Sequence, residues 1–348
     1  MRRSSYVTMI VAAALILIGI IVCAIGQSVA KDENYMLYPT EEDGVSVYRH
    51  DFTGDGVNKI TVSAKNAKIT VKRGGGESFI EIRNFNANYY KLTTENKVIA
   101  FSEVSDIASM FKFWEGGFSF KGMRYIFHGG TENNAAKEIT VNIARAEDVK
   151  LIQLTSAGGT VTLDSFDTKG DVSVISSSDA LISANGINVG GTLSVSSSSG
   201  KLTSDVLKAG TVLFSGAKLD TELSDVTAEL IRFEMKSGKV QTHGLKANEM
   251  SAALEAANLT IDRFNVLQSD IHSGAGQVTV TTSDPISDYS VDVTSTSASI
   301  FIDGVHYSES CLLPSATAQH KIVIVTDSGS VSVADGIEES TDTEENPY

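Results

Sequence analysis

Two cysteines, four prolines and one tryptophan stand in a chain of 348 residues. Two cysteines cannot build the disulfide framework of a small secreted scaffold. Four prolines leave no room for a proline-rich stalk. Positive charge is short as well, with 28 basic residues against 43 acidic ones and a net charge of −15. Such a surface repels phosphate backbones, which argues against nucleic-acid binding. Charge is missing altogether from Tyr6 to Gly26.

That uncharged run is the first positive feature. It follows Arg2 and Arg3 and precedes Lys31-Asp32-Glu33. At about 1.5 Å per residue it spans roughly 30 Å, the thickness of a hydrocarbon core. The basic flank predicts a cytoplasmic stretch 1–5, a single transmembrane helix 6–26 and an extracytoplasmic remainder behind a tether, 27–44. A cleaved signal peptide is the competing reading, because Ser28-Val29-Ala30 has the small-x-small form of a cleavage site. Both readings export the rest of the chain. Cys311, the one cysteine beyond the apolar run, has no partner there and reads as a small buried hydrophobe.

From about residue 156 to 283 the sequence repeats. One apolar series is Val161, Leu181, Leu202, Leu219, Val240, Leu259 and Val278. A second is Phe166, Ile187, Leu207, Val226, Leu245 and Phe264; a third is Val172, Leu193, Val212, Ile231, Met250 and Ile271. All three advance by roughly 20 residues per step. Locally the pattern alternates, as in Val161-Thr162-Leu163 and Val172-Ser173-Val174, which is a strand with one face inward. Pairs such as Gly158-Gly159, Ser199-Gly200 and Ser237-Gly238 punctuate the strands. Pieces this short bury a core only by stacking. The expectation is a β-solenoid over 45–335, about 20 residues per coil and about 4.8 Å between coils, in preference to a β-sandwich. The serine runs 176–178 and 196–199 suit such stacking, and a hydroxyl-rich outer face is also able to contact sugars.

The stretches "ITVSAKNAKITVKRGGGESFIEI", "SGKLTS", "GTLSVSSSSG" and "SGAGQVTVTTS", behind an apolar N-terminus, resemble the bacterial putative-adhesin family, a domain of unknown function. The resemblance implies a right-handed, all-β solenoid exposed at the cell surface. It brings no catalytic residues with it.

Residues 84–137 depart from the repeat. Phe111, Phe113, Trp114, Phe118, Phe120, Tyr125 and Phe127 crowd together around Gly116-Gly117, which reads as a hairpin with one aromatic face. Two roles are open to this insertion: a cap over the end of the solenoid, or a surface for a partner. Residues 336–348 read as a disordered acidic tail.

The search for chemistry yields little. Asp51-Phe52-Thr53-Gly54-Asp55-Gly56 imitates a calcium loop, but the twelfth position is Val62 where a bidentate carboxylate is needed, so a turn is expected. The six histidines share no metal-binding spacing. Asp164, Asp167, Asp171, Asp205, Asp220 and Asp225 keep no constant offset within the coil. No catalytic residue, cofactor or metal is therefore assigned. The sequence leads to a non-enzymatic, adhesin-like binding protein, anchored by its N-terminal helix, with an envelope or surface glycan or protein as partner. A regulatory partner of a neighbouring membrane protein and a polysaccharide-active enzyme are the alternatives.

Overall fold

The computed structural model describes residues 40–42, 45–85, 90–103, 136–145, 148–297, 299–315 and 317–336. The expected membrane segment 6–26, most of the tether and nearly all of the tail lie outside them. Among the described residues no helix is long and apolar enough to cross a membrane.

The described chain is all-β, and its strands join one hydrogen-bonded network. In order they are β1 (Thr40–Glu42), β2 (Val45–Asp51), β3 (Lys59–Arg73), β4 (Phe79–Arg83), β5 (Tyr90–Glu95), β6 (Val98–Glu103) and β7 (Lys137–Ile143). The body follows as β8 (Leu151–Asp164), β9 (Asp167–Thr168), β10 (Asp171–Ser273) and β11 (Val278–Thr282). β12 (Tyr289–Ser295), β13 (Ser299–Ile302), β14 (Val305–Tyr307), β15 (Ser310–Leu313), β16 (His320–Thr326) and β17 (Ser330–Asp335) complete it.

Parallel pairing builds the body in tiers. β3 runs beside β8, with Lys59 opposite Leu151, and β8 runs beside the start of β10, with Leu151 opposite Asp171. Inside β10 the chain stacks on itself: Ser204 Oγ donates to the Ala184 carbonyl at 2.6 Å across 20 residues. Ser237 Oγ does the same to Ala217, at 2.8 Å and again across 20 residues. Alternation then sends every second side chain inward. Val161, Leu163, Val172 and Val174 are buried while Thr162 and Ser173 face outward, as the sequence pattern predicts.

The apolar columns differ in detail from the sequence reading. All six residues of the second series are buried as expected. In the first series Leu181 points outward at 59% exposure; Ile182, opposite Val161, takes the inward place. A Cβ on Gly238 would touch the backbone of Leu219, so these two stack and Val240 lies over Thr221. Thr221, fully buried, thus occupies the column position expected of Leu219. In the third series Ser269 pairs with Ile322 and Ile271 with Ile324, one inward place further on. The physical reason is common to all three: a buried hydroxyl in an apolar column, or an aliphatic chain outside it, displaces the series read from hydrophobicity alone.

Packing inside the stack is complementary in size. Gly216 has no side chain, and Leu219 fills the space; a Cβ at Gly216 would come within 2.6 Å of Leu219 Cβ. Phe214 and Phe233 stack on adjacent tiers with ring centroids 5.7 Å apart. At one bend Ser165, Val206, Asp225 and Arg263 hold positive φ, from 48° to 54°. At the other bend, inward hydroxyls close the turn: Ser176 Oγ donates to the Ser178 carbonyl at 2.8 Å and Ser197 Oγ to the Ser199 carbonyl at 2.7 Å.

Both ends of the stack break chain order. β6 and β7 lie beyond β3, so β3 is enclosed between them and β8. At the far end β16 lies between β10 and β12, and β17 between β11 and β13. Antiparallel strands then cover the outer tiers: β5 on β6, β4 on β7, β15 on β12 and β14 on β13. This satisfies backbone edges that would otherwise recruit foreign strands. Phe85, Tyr90 and Phe101 pack together at the first end, with centroids 5.2 to 6.1 Å apart. Residues 90–103, read as part of the insertion, are thus paired strands of the sheet. Cys311 is buried in the opposite end, as expected.

Candidate functional site

A groove of about 890 Å³ runs along the stack beside the serine-closed bend. It crosses seven tiers, touching residues 175–177, 196–198, 215–217, 234–236, 253–255 and 272–274, and Val325 and Asp327 on the last. At about 4.8 Å per tier its length is about 29 Å. The alternating pattern carries each tier into the bend with one residue outward, one inward and one on the turn. Inward Ser176 and Ser197 spend their hydroxyl hydrogens on the turn carbonyls described above. The outward positions Ser177, Ser196, Ser198 and Ser215 leave hydroxyls facing the groove.

The groove has two unlike halves. Its first three tiers carry no charged residue; the last four carry Glu234, Lys236, Glu255, His272 and Asp327. His272 Nε2 lies 3.1 Å from Asp270 Oδ1 on the same strand. Among the described residues no Phe, Tyr or Trp lines it. The serine runs were legible in the sequence; the charged half was not. Its signal is a step of nineteen residues, Ser215, Glu234, Ala253 and His272, at a position that changes chemistry from tier to tier.

The aromatic residues singled out from the sequence, Phe111 to Phe127, lie outside the described residues. Their roots are described. β6 ends at Glu103 and β7 begins at Lys137, whose Nζ stands 2.6 Å from Glu103 Oε1. Glu103 also accepts the Lys65 N–H at 2.6 Å. Ser102 and Lys137 pair with Ser63 and Ala67, so the segment leaves and returns at the groove's own bend, three tiers before Ser176.

Elsewhere charges hold tiers together. Glu222 bridges Lys201 at 2.8 Å and Lys239 at 3.3 Å, and these hydrogen bonds pull its carboxyl below the ordinary range. Arg263 reaches Asp225 at 3.0 Å, and Asp171 Oδ1 accepts the Thr192 N–H at 2.8 Å. Of the carboxylates noted in the sequence, Asp225 and Asp171 thus serve separate structural contacts, and Asp167 faces Arg73 at 3.8 Å. Asp51 closes a turn by accepting Thr53 Oγ1 at 2.7 Å and Thr53 N–H at 3.1 Å. His243 pairs with Asp262 and does not meet His272. Among the described residues no three His, Cys, Asp or Glu side chains gather as metal ligands would.

The parallel stack spans nearly the whole segment that matches the Toastrack DUF4097 family, residues 57–334. The chain belongs to that family. A comparison of this Toastrack chain with curated proteins finds no match. Among solved structures it is similar to a putative adhesin from Bacteroides fragilis NCTC 9343, at 11% identity over 86% of this chain and 100% of that one, with a TM-score of 0.40. A putative adhesin from Parabacteroides distasonis ATCC 8503 shares 10% identity over 83% and 97% of the two chains, with a TM-score of 0.43. A putative cell adhesion protein from Clostridium sporogenes ATCC 15579 shares 8% identity over 84% and 99%, with a TM-score of 0.22.

Proposed function

We propose that this Toastrack protein is a non-enzymatic, adhesin-like binding protein of the cell envelope or surface. In this reading residues 6–26 anchor it, with the N-terminus cytoplasmic. The tiers form a right-handed solenoid of about 20 residues per coil that acts as a rigid rod outside the membrane. The observation that supports binding is the groove, a continuous concave track that offers the same position once per tier. A track of this kind suits an extended polymer better than a compact metabolite. Hydroxyl groups both donate and accept, so Ser177, Ser196, Ser198 and Ser215 suit the hydroxyls of an envelope glycan. The aromatic residues Phe111, Phe113, Trp114, Phe118, Phe120, Tyr125 and Phe127 form a second contact surface in this proposal, because their segment is rooted at the same bend.

The test is retention of the full-length protein, held in lipid nanodiscs, on immobilised envelope and surface glycans. Ser198→Trp fills the groove from an exposed position. The proposal expects retention that this variant abolishes, with every glycan recovered intact after incubation. Retention unchanged in the variant, or cleavage of the glycan, contradicts it.

A further inference from the structure

The stack ends in an open tier. β14 and β15 form its outermost layer at the far end, and among the described residues each pairs on one side only. Ser295 N–H donates to the Glu309 carbonyl at 3.0 Å. In an antiparallel ladder such bonding recurs at every second residue, so Cys311 and Leu313 also bond into β12. Ser310 and Leu312 then turn their N–H and C=O groups away from the stack. On β14 the two-residue turn Asp303-Gly304, with φ 49° and 75°, leaves the main-chain groups of His306 facing the same open side. Apolar surface gathers there: Leu312 is 63% exposed, Val305 54% and Phe301 41%. Val305 stands opposite the buried Ile302 and is uncovered because no tier lies over it.

We propose that this tip docks on the tip of a second copy of the chain, about a two-fold axis through Cys311. The axis sets Ser310 opposite Leu312 of the other copy, twice over, and their free groups make about four main-chain hydrogen bonds. A foreign strand satisfies β15 alone. The tip calls for two antiparallel edges in one tier, set apart by the thickness of the core, with apolar side chains between them. A second tip offers that arrangement by construction. Charge permits the approach: in a protein of net charge −15, residues 299–315 hold only Asp303 and Glu309 as acids. The two Glu309 side chains come to lie roughly 13 Å apart along the paired strands, beyond the screening length at physiological salt. β1, the first strand, lies at the opposite end of the stack, beyond β2, β4 and β7. In the reading that residues 6–26 anchor the protein, tip-to-tip docking therefore joins rods from two facing membranes.

The experiment uses the full-length protein in nanodiscs, one chain per disc, with Cys23→Ser so that Cys311 is the sole thiol. A contact of this size is weak, so sedimentation velocity runs from about 1 to about 300 μM. Concentration-dependent dimers are expected, with a disc at each end in negative-stain images. The axis sets the two Cys311 residues in a non-hydrogen-bonded pair with Cα atoms about 4.5 Å apart, within the range a disulfide spans. Diamide, which takes up the two electrons and two protons, should therefore turn the dimers into a covalent species. Ser310→Pro removes an outward N–H, and Leu312→Lys puts a charge on the edge; each should weaken dimerisation at least about tenfold. Circular dichroism checks that both variants fold. Monomers at every concentration overturn the inference and leave the edge to a foreign strand. Dimers that both variants leave intact, or that diamide leaves uncrosslinked, overturn it as well, and so do dimers with both discs on one side. None of these readouts involves a glycan, so the reading of the groove stands or falls separately.

Discussion

Thr221→Val should stabilise the protein. Thr221 is fully buried, and its Oγ1 has no hydrogen-bond partner among the described residues. Its tier neighbour is Val240, in a column of aliphatic side chains. A buried hydroxyl without a partner costs about 1–3 kcal/mol, and valine replaces it with a methyl of nearly the same shape. The expected gain is therefore about 1–2 kcal/mol. For roughly 280 folded residues the entropy of unfolding is about 0.6 kcal/mol per kelvin, so Tm should rise by about 2–3 °C. Equilibrium urea unfolding and thermal melts followed by circular dichroism measure it. Ser204→Ala is the internal control: its hydroxyl donates to Ala184 at 2.6 Å, so its removal should cost about 1 kcal/mol. A Thr221→Val variant no more stable than the parent would refute the column assignment.

Gly216→Ala should lose about 1–3 kcal/mol, read by the same urea curves, because its new methyl would press on Leu219 Cβ at 2.6 Å. Val206→Asn should gain up to about 1 kcal/mol, since a β-branched residue sits at φ 52° where asparagine is at ease. Lys201 and Lys239 depress the Glu222 carboxyl below its ordinary 4.5, so its contribution to stability is present above that value and lost as pH falls through the depressed one. Carboxyl-carbon NMR titration should show the depression, and Lys201→Met should reduce it. Burial, with Asp284 nearby, pushes the Tyr289 phenol up to about 12. Its share of stability is fully present below pH 10 and lost as pH rises toward 12, and Tyr289→Phe should flatten that decline in alkaline melts.

Much of the stack was legible because its driving force is periodic. Alternation predicted the strands, and the series through Phe166 and Phe264 predicted one column residue by residue. The other two columns were harder to read because hydrophobicity marks an inward position only when the residue there is apolar. Thr221 and Ser269 are buried hydroxyls and Leu181 an exposed leucine, so the apparent steps wandered where the backbone step did not. The end tiers were illegible for another reason. The enclosure of β3 beneath β6 and β7, and of β16 and β17 beneath β12 and β13, is a matter of long-range pairing, and no local propensity records it. The groove was half legible. Its serines drew notice as runs, whereas Glu234, Glu255 and Asp327 look like ordinary surface charges and join the groove only through the long-range stacking of the tiers.

The most direct test of a groove that binds glycan is capture in the living cell. A photoreactive residue is placed singly at Ser198 in the groove, at Trp114 and at Thr260 on an outer strand face, in the full-length protein. After illumination the captured material is identified by mass spectrometry. The account predicts envelope glycan at Ser198 and none at Thr260. Equal capture at both, or protein alone at Ser198, would contradict it.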